Sequence, residues 1–327
     1  MRVIEVARFG GPEVLTLTEA PDPSPGTGEV VVETAYANVL WIDTAIRAGR
    51  AGQWFPVQPP YRPGSGVSGT VSAVGPGVDP AWAGRRVVAR TGPVGGYLDR
   101  APVPVDDVLA VPAAVSLRDA AALLTDGATA FAVLDLAGVR PGDRVLVTAA
   151  AGGAGALLVQ AARAAGARVV AAARGTAKGD ALRRLGVTDV VDYAAPDYAA
   201  PDWTDRVRAV LGGVDVLLDG AGGAYGRAAH DLVAPGGRVC AYGAPAGGFA
   251  VPAPASARAR GIAVTGIGAL QAAGPQTRRA HLLAALDAVA AGRVTPLVGR
   301  TFPLDRAADA HRAVEERAAV GKILLTP

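Results

Sequence analysis

Three glycines near the middle of the chain could bind a phosphate group. In "VLVTAAAGGAGALLVQAARAAG", Gly152, Gly153 and Gly155 lie where a β-branched apolar run gives way to an amphipathic helical pattern. The absence of a Cβ atom at Gly152 lets the backbone approach a pyrophosphate, and Gly155 lets the helix pack closely on the strand. Free N–H groups of the first helical turn, which includes Ala154, then face the phosphates. Because the segment continues into a second apolar strand, it predicts a dinucleotide site.

The end of that second strand, "ARVVAAAR", indicates which dinucleotide binds. An acidic residue there would accept hydrogen bonds from the ribose 2′-OH of NAD. The chain instead has Arg174, with Lys178 shortly after it and no carboxylate before Asp180. Cations form strong charge-assisted hydrogen bonds to a 2′-phosphate. The sequence therefore predicts NADP(H), unless Arg174 and Lys178 are solvated surface residues.

Residues that could ligate a metal are scarce in the sequence. Cys240 is its one cysteine, which excludes an intramolecular disulfide and a Cys-based zinc site. The histidines, His230, His281 and His311, are far apart in helical-looking segments, and we expect all three to be exposed or half-exposed. The sequence therefore predicts no metal and no His-based catalytic triad.

Length and composition limit the class of protein and its partners. A chain of 327 residues is long for one hydrophobic core and predicts two domains. The net charge of +3 comes from interspersed residues, which argues against a nucleic-acid partner. Apolar runs end well before the roughly 20 residues that span a bilayer, and the first residues lack the apolar segment of a secretion signal. We expect a cytoplasmic protein without a membrane partner.

Two patterns of secondary structure follow one another along the chain. Residues 1–120 read as short strands separated by Pro/Gly clusters, which is typical of a compact β-barrel. From Asp143 onward, fully apolar strands alternate with helices, which predicts a parallel sheet covered on both faces. The tail carries a long helix, "TRRAHLLAALDAVAAGR", and then a strand, a helix and a final strand. We expect this tail to pack on the first domain.

An ordered series of motifs over nearly the whole chain resembles one enzyme family. The motifs are "FGGPEVLTLTEAPDPSPGTGEVVV", "DTAIRAG", "PGSGVSGTVSAVGPGV", "GGY", "AGVRPGDRVLV", "AAGGAG", "DLVAPGGRV", "AGRVTPLVGRTFPL" and "VGKILLTP". The series resembles the zinc-free quinone oxidoreductase, or zeta-crystallin-like, branch of the medium-chain dehydrogenase/reductase superfamily. The resemblance implies an α/β protein with a GroES-like β-barrel catalytic domain, residues 1–120 and 269–327, and a Rossmann NADP-binding domain, residues 121–268.

The resemblance also implies cofactor-binding residues. Lys178 and Tyr193 match positions that contact the adenosine 2′-phosphate, and Thr129 matches a threonine near the nicotinamide. Tyr242 and Gly243 match backbone positions that line the nicotinamide pocket. For Tyr193 and Thr129 the alternative is ordinary packing.

In the metal-dependent branch of the superfamily, the catalytic zinc ligands match Leu40, Ser65 and Thr125 of this chain. A leucine cannot ligate zinc, and Ser and Thr are poor substitutes for Cys and His. The resemblance therefore implies a site that polarises its substrate without a metal.

The substrate site departs from the family pattern. Leu40 stands where quinone reductases carry an asparagine, whereas Asn38 lies two residues earlier. Asn38 either reaches the same space or is a turn residue. Asp126 could orient a substrate hydroxyl or amide near the nicotinamide, or could cap a helix. A more apolar pocket is predicted, formed by Leu40, Trp41, Trp54, Phe55 and Tyr61.

The function implied is an NADPH-dependent, metal-independent reductase that transfers a hydride to a quinone or to the β-carbon of an α,β-unsaturated carbonyl. Backbone N–H groups near Gly243 and the side chain of Asn38 are candidate donors to the acceptor oxygen. The alternatives are an enoyl-thioester reductase of a biosynthetic pathway and a non-catalytic NADPH-binding protein. The apolar segment "GIAVTGIGAL" reads as a strand at the sheet edge, and such an edge favours a homodimer.

Overall fold

The computed structural model describes residues 1–193 and 203–327. The chain folds into two compact units. The first comprises Met1–Leu124 and Val298–Pro327, and the second comprises Thr125–Leu297. The sequence predicts boundaries at 120/121 and 268/269, so the observed second boundary lies well beyond the predicted one.

The strands, within the described residues and in chain order, are β1 (Arg2–Val6), β2 (Leu15–Glu19), β3 (Glu29–Val39), β4 (Gly66–Val74), β5 (Arg86–Arg90), β6 (Arg100–Pro104), β7 (Val108–Ala110), β8 (Arg144–Thr148), β9 (Arg168–Ala173), β10 (Val190–Asp192), β11 (Val214–Asp219), β12 (Val233–Ala241), β13 (Ala263–Gly266), β14 (Val298–Pro303) and β15 (Lys322–Thr326). The α-helices are α1 (Trp41–Arg47), α2 (Leu117–Ala137), α3 (Gly153–Ala164), α4 (Thr176–Arg184), α5 (Trp203–Leu211), α6 (Gly223–His230), α7 (Pro254–Ala259), α8 (Ile267–Ala272), α9 (Pro275–Ala290) and α10 (Ala307–Glu315).

The first unit is built mainly from antiparallel strands. Its larger sheet has the order β14-β15-β3-β4-β5-β7, with β6 also paired to β3, and β1 and β2 form a separate antiparallel pair. Strands β14 and β15 of the larger sheet run parallel to each other. Alternating valines of β3 and β4, such as Val30, Val32 and Val71, face the core of this unit. Like the predicted β domain, this unit contains residues from both ends of the chain.

The second unit is a parallel sheet flanked by helices. Its strand order is β10-β9-β8-β11-β12-β13, so the direction of winding reverses between β8 and β11. The central strands are almost wholly apolar and buried, as expected for a sheet covered on both faces. The predicted doubly wound sheet is confirmed. Its edge strand, β13, ends at Gly266, and the rest of "GIAVTGIGAL" begins helix α8 instead of extending the strand.

Helix α9 belongs to the second unit, so the prediction that the whole tail packs on the first domain is wrong for this helix. His281 of α9 lies 3.7 Å from Asp135 of α2, measured from Nε2 to Oδ2. The Gln160 amide also exchanges two hydrogen bonds of 2.9 Å with the backbone of Thr295, just beyond α9. Amphipathic spacing predicts a helix, but it does not identify the partner against which the helix packs.

Among the residues that the structure describes, α2 is the one helix long and apolar enough to cross a membrane. Of its most apolar window, 56% is buried within the protein. Burial of this extent is typical of a core helix.

Candidate functional site

The predicted phosphate turn, residues 149–155, connects β8 to α3. Gly152 is the N-cap of α3 in an extended conformation and has no side chain with which to cap the helix. A Cβ atom at Gly152 would have Ala149 O, at 3.3 Å, as its nearest neighbour. This one contact is tight, but no other described heavy atom lies within 4 Å, so the remaining space beside Gly152 is open. The first N–H groups of α3 have no acceptor within the helix itself. This arrangement fits an anionic group such as a pyrophosphate.

Gly155 makes the close helix–strand packing possible. A Cβ atom there would lie 2.4 Å from Ala149 O and 2.9 Å from Ala150 Cα. Neither backbone atom can move without displacing the phosphate turn. The predicted reason for a glycine at this position is confirmed.

Gly153 leaves room for the carboxylate of Asp126. A Cβ atom at Gly153 would lie 1.9 Å from Asp126 Oδ2. Asp126 lies inside the continuous helix α2, so the alternative that it caps a helix by ending it is wrong. Its carboxylate lies against the N-terminus of α3, where the helix dipole favours negative charge. A catalytic role for Asp126 stays a prediction.

The end of β9 carries the predicted 2′-phosphate residues. Arg174 is exposed, and Lys178 is half-buried on the first turn of α4. Asp192, which sequence interpretation missed, accepts a hydrogen bond from Gly175 N at 2.9 Å through its Oδ1. Parallel pairing places Asp192 of β10 opposite Ala173 of β9. The sequence feature that could have indicated this contact is the carboxylate at the end of the neighbouring strand.

Tyr193 is buried in an aromatic cluster of the second unit. Its ring centroid lies 4.5 Å from that of Tyr225 and 6.1 Å from that of Trp203. Its backbone N–H donates to Ala173 O at 3.2 Å. The structure thus shows that Tyr193 packs against the rings of Tyr225 and Trp203. Contact of Tyr193 with a 2′-phosphate stays a prediction, as does the role of Thr129, which is half-buried on α2.

Buried polar groups join the carboxyl ends of β8 and β11. Thr148 Oγ1 donates to Asp219 Oδ1 at 2.5 Å, and the same carboxylate oxygen accepts the N–H groups of Ala221 and Gly222 at 3.1 Å. Thr148 Oγ1 in turn accepts the N–H groups of Gly220 and Ala221. These bonds fix the turn after β11 at the point where the winding of the sheet reverses, which is where ligands bind in such sheets.

Tyr242 and Gly243 follow β12 at the same edge. Their N–H groups donate to Asp219 O at 3.0 and 3.2 Å. These two N–H groups are therefore already engaged within the protein. A donor role for other backbone N–H groups near Gly243 stays a prediction. Burial, and then the nearby Asp219 carboxylate, raise the pKa of the Tyr242 hydroxyl well above its usual value. That these positions line a nicotinamide pocket stays a prediction.

The predicted substrate residues lie in the first unit at different depths. Asn38 is fully buried in β3, where it pairs with Leu324 of β15, so it is not a turn residue. Trp41 and Trp54 are 43% and 56% exposed, whereas Tyr61 is 9% exposed and bridges Val6. Leu40 and Phe55 are half-buried. Their convergence on one substrate pocket stays a prediction.

A buried polar network, made of Asp43, Arg47, Tyr97 and His311, lies in the first unit and was missed by sequence interpretation. Tyr97 Oη lies 3.1 Å from Asp43 Oδ2 and 3.0 Å from His311 Nε2. Arg47 Nη1 lies 3.4 Å from His311 Nδ1, and Arg47 also donates to Gly10 O and to Glu315. Each member of the network is at most 3% exposed.

The prediction that every histidine is exposed or half-exposed is wrong for His311 and for His230, which are 0% and 7% exposed. The sequence carried one indirect signal of the network. Gly64, in the "PGSG" motif, leaves room for the Tyr97 ring, because a Cβ atom there would lie 2.3 Å from that ring.

The donors and acceptors of the network can be ordered in one way. A guanidinium only donates, so His311 Nδ1 accepts from Arg47 and the histidine carries its proton on Nε2. Nε2 then donates to Tyr97 Oη, and the Tyr97 hydroxyl donates to Asp43 Oδ2. Leu40 N donates to the same carboxylate oxygen at 2.8 Å. The network therefore ends at the first turn of α1, beside Leu40 and Trp41.

Burial shifts the pKa values of Asp43 and His311 in the network and of Tyr61 nearby. It raises the pKa of Asp43 to about 6, opposed by the Leu40 N–H, the Tyr97 hydroxyl and the charge of Lys322. It lowers the pKa of His311 to about 3, and the positive charge of Arg47 acts in the same direction. Burial and the Asp43 charge raise the pKa of Tyr61 to about 12. His311 is therefore uncharged at neutral pH, and the pKa of Asp43 is the one of the three that lies nearest to neutral pH.

Two family comparisons cover most of the chain. Residues 26–113 match the family described as alcohol dehydrogenase GroES-like domain, and residues 185–325 match the family described as zinc-binding dehydrogenase. The first match confirms the predicted GroES-like domain. For a zinc ion, however, the residues do not fit: the positions that the family resemblance matches to the catalytic zinc ligands are Leu40, Ser65 and Thr125, and none of them is a cysteine or a histidine. The described part of the chain contains no group of three or more His, Cys, Asp or Glu residues that could hold a metal.

Full-length similarity extends to named enzymes. The chain is 33% identical over 337 residues to 2-haloacrylate reductase of Burkholderia sp., covering 98% of each chain. It is 31% identical over 334 residues to quinone oxidoreductase of Sus scrofa, covering 99% of this chain and 97% of the relative. The solved structure of Escherichia coli quinone oxidoreductase complexed with NADPH superposes with a TM-score of 0.88 at 28% identity, and the match covers 100% of both chains.

Proposed function

Because the chain belongs to the quinone oxidoreductase branch of the medium-chain dehydrogenase/reductase superfamily, we propose that it is an NADPH-dependent reductase whose acceptor is a quinone or an α,β-unsaturated carbonyl. The observation that carries this proposal is the open phosphate turn beside Gly152 at the N-terminus of α3. The relative from Escherichia coli, which is similar over its whole length, is complexed with NADPH. Bound NADPH would supply the hydride.

The residues of the second unit would hold the two ends of NADPH differently. The phosphate turn offers backbone N–H groups to the pyrophosphate. Arg174 and Lys178 offer positive charge to the 2′-phosphate, and the first turn of α4 adds further N–H donors. The charge of these two side chains is what favours NADPH over NADH.

The substrate-binding residues of the first unit would favour an apolar acceptor. Trp41 and Trp54 expose large apolar surfaces, and Leu40 replaces a polar side chain of the family pattern. Because the donor set does not fit a metal, hydrogen-bond donors must stabilise the charge that develops on the acceptor oxygen. The name of the Burkholderia relative, 2-haloacrylate reductase, supports a conjugated carbonyl compound as the acceptor class.

The assembly and location that we propose are a cytoplasmic homodimer. Strand β13 lies at the edge of its sheet, and exposed apolar side chains lie on it and on the loop before α7, at Val264 and Val251. An exposed apolar edge pairs readily with its own copy across a two-fold axis. Sedimentation of the purified chain tests the dimer.

The proposed reaction is tested by NADPH oxidation with a panel of quinones, enones and enoyl-thioesters. Turnover with quinones or simple enones supports the proposal, and turnover confined to enoyl-thioesters supports the biosynthetic alternative. Tight NADPH binding without turnover on any acceptor would make the chain a non-catalytic NADPH-binding protein.

The cofactor assignment is tested by the double variant Arg174→Ala with Lys178→Ala. Removing both charges should raise the KM for NADPH at least about tenfold and leave the KM for NADH nearly unchanged. Arg184→Ala, an exposed arginine at the far end of α4, is the matched control. An equal loss with both coenzymes would contradict the assignment.

A further inference from the structure

Asp192 places a carboxylate beside the proposed 2′-phosphate site. Strands β9 and β10 are parallel, and their pairing sets Asp192 opposite Ala173, the last residue of β9. Asp192 Oδ1 accepts the hydrogen bond from Gly175 N at 2.9 Å. The residue that follows β9 is an arginine, but the neighbouring strand supplies a carboxylate at the same edge of the sheet.

The contact fixes the turn that carries the proposed phosphate ligands. Gly175 is the N-cap of α4, with φ of 80° and ψ of 157°, a conformation that favours glycine. A Cβ atom at Gly175 would meet no heavy atom within 4 Å, so no residue in the described part of the chain fills the space beside the turn. Because Gly175 N already donates to Asp192, an incoming phosphate must bind the cationic side chains and the N–H groups of α4.

The charges around this turn are mixed. Arg174 is exposed, Lys178 is half-buried, and Arg206 donates to Asp192 O at 2.6 Å. Asp180, the acidic residue of α4, pairs with Arg183 at 2.8 Å. The side chain of Asp192 is held in place by its bond to the turn, so its negative charge has a defined position near the cations.

We propose that Asp192 is a specificity-determining residue that weakens the preference for NADPH and keeps NADH usable. The inference rests on the proposed function, since it concerns the same coenzyme site. A fixed carboxylate repels the 2′-phosphate of NADPH. It does not repel the ribose 2′-OH of NADH, and it can accept a hydrogen bond from that hydroxyl. The balance between Arg174, Lys178 and Asp192 then sets the ratio of the two affinities.

The test is Asp192→Asn in the full chain. The asparagine carbonyl still accepts the hydrogen bond from Gly175 N, so the turn is kept and only the charge is removed. The Kd for NADPH should fall about fivefold, whereas the Kd for NADH should change less than about twofold. Coenzyme titration followed by protein fluorescence, without any acceptor, measures both constants. The gain for NADPH should shrink as the salt concentration rises.

Two further variants separate charge from structure. Asp189→Asn makes the same substitution just before the opposite, amino end of β10 and should leave the ratio of the two Kd values unchanged. Asp192→Ala removes the acceptor of Gly175 N as well as the charge, so it should weaken both coenzymes relative to Asp192→Asn.

Three outcomes would overturn the inference. An unchanged ratio in Asp192→Asn, with NADPH oxidation intact, overturns it and leaves the proposed function standing. A weaker affinity for NADPH in Asp192→Asn overturns it as well, because the carboxylate then supports the phosphate. A wild-type chain that binds neither coenzyme overturns both the inference and the proposed function.

Discussion

The phosphate turn of the second unit and the buried polar network of the first differ in what makes them possible. The turn exists because side chains are absent: at Gly155, any Cβ atom would collide with the backbone of Ala149 and Ala150. The network exists because long side chains are present, with Arg47 and His311 joined across 264 positions of the chain. The turn is therefore sensitive to added atoms, and the network is sensitive to removed ones.

The two regions also differ in how they treat charge. The phosphate turn has open space beside it and backbone donors that an anionic ligand can use. The network is closed, and its charges are compensated internally by Glu315, the Leu40 N–H and the Tyr97 hydroxyl. One region is arranged to bind, and the other is arranged to hold α1 and α10 in fixed positions within the first unit.

The largest effect is expected from Arg47→Ala. The substitution removes the partner of His311 Nδ1, Gly10 O and Glu315 in a site where Arg47 is 1% exposed. The Glu315 side chain left behind is 28% exposed, so the main loss comes from the buried partners His311 Nδ1 and Gly10 O, at about 1–3 kcal/mol for each acceptor left unsatisfied. The midpoint of urea unfolding should fall accordingly.

The matched control for Arg47→Ala is Arg312→Ala on α10. Arg312 pairs with Asp309 on the surface, and its side chain is 50% exposed. Exposed ion pairs contribute about 0–1 kcal/mol, so this variant should unfold close to the wild type. Equal destabilisation by the two substitutions would show that the network has no special role.

The second effect is a pH dependence produced by Asp43 and His311. Because the folded pKa of Asp43 is raised to about 6, its contribution to stability is lost as the pH rises from about 4 to about 6. Because the folded pKa of His311 is lowered to about 3, its contribution is lost as the pH falls from about 6.5 to about 3. The two contributions have opposite slopes between about pH 4 and 6 and partly cancel there.

Asp43→Asn removes one of these slopes and keeps an oxygen that accepts from Leu40 N and Tyr97 Oη. The free energy of unfolding should then rise more steeply with pH between about 4 and 6 than in the wild type, by up to about 3 kcal/mol over the interval. Urea unfolding at several pH values measures both slopes. Parallel curves for the two proteins would mean that the pKa of Asp43 is not raised by folding.

The phosphate turn and the buried network also differ in how well the sequence predicts them. The phosphate turn and the parallel sheet were predictable because their residues are contiguous and each strand–helix unit encodes its own geometry. Arg47, Tyr97 and His311 were not, since only the pairing of β15 with β3 and the packing of α10 bring them together. Asp192 was missed for a related reason, because its position depends on which strand lies beside β9.

The same limit explains the error at the second domain boundary. The pattern of α9 predicts an apolar helical face, but either unit could have covered that face. The contacts of His281 with Asp135, and of Thr295 with Gln160, fix it to the second unit.

The smallest effects on stability are expected from two substitutions in the phosphate turn. These substitutions also test most directly whether the turn is sensitive to added atoms. Gly155→Ala puts a Cβ atom 2.4 Å from Ala149 O, so it should cost about 1–3 kcal/mol of unfolding free energy. Gly152→Ala has an ordinary extended backbone and one tight contact, with Ala149 O at 3.3 Å, so it should cost clearly less stability than Gly155→Ala. Its Cβ atom nevertheless projects into the open space where the pyrophosphate is proposed to bind.

Gly152→Ala should therefore weaken NADPH binding at least about tenfold with the smaller loss of stability of the two, whereas Gly155→Ala should lower both stability and affinity. Urea unfolding and coenzyme titration on the same preparations separate the two effects. Gly274→Ala, at a position where a Cβ atom meets no described heavy atom within 4 Å, is the control for adding a methyl group to the second unit. If Gly152→Ala bound NADPH as tightly as the wild type, the open space beside the turn would not be the pyrophosphate site.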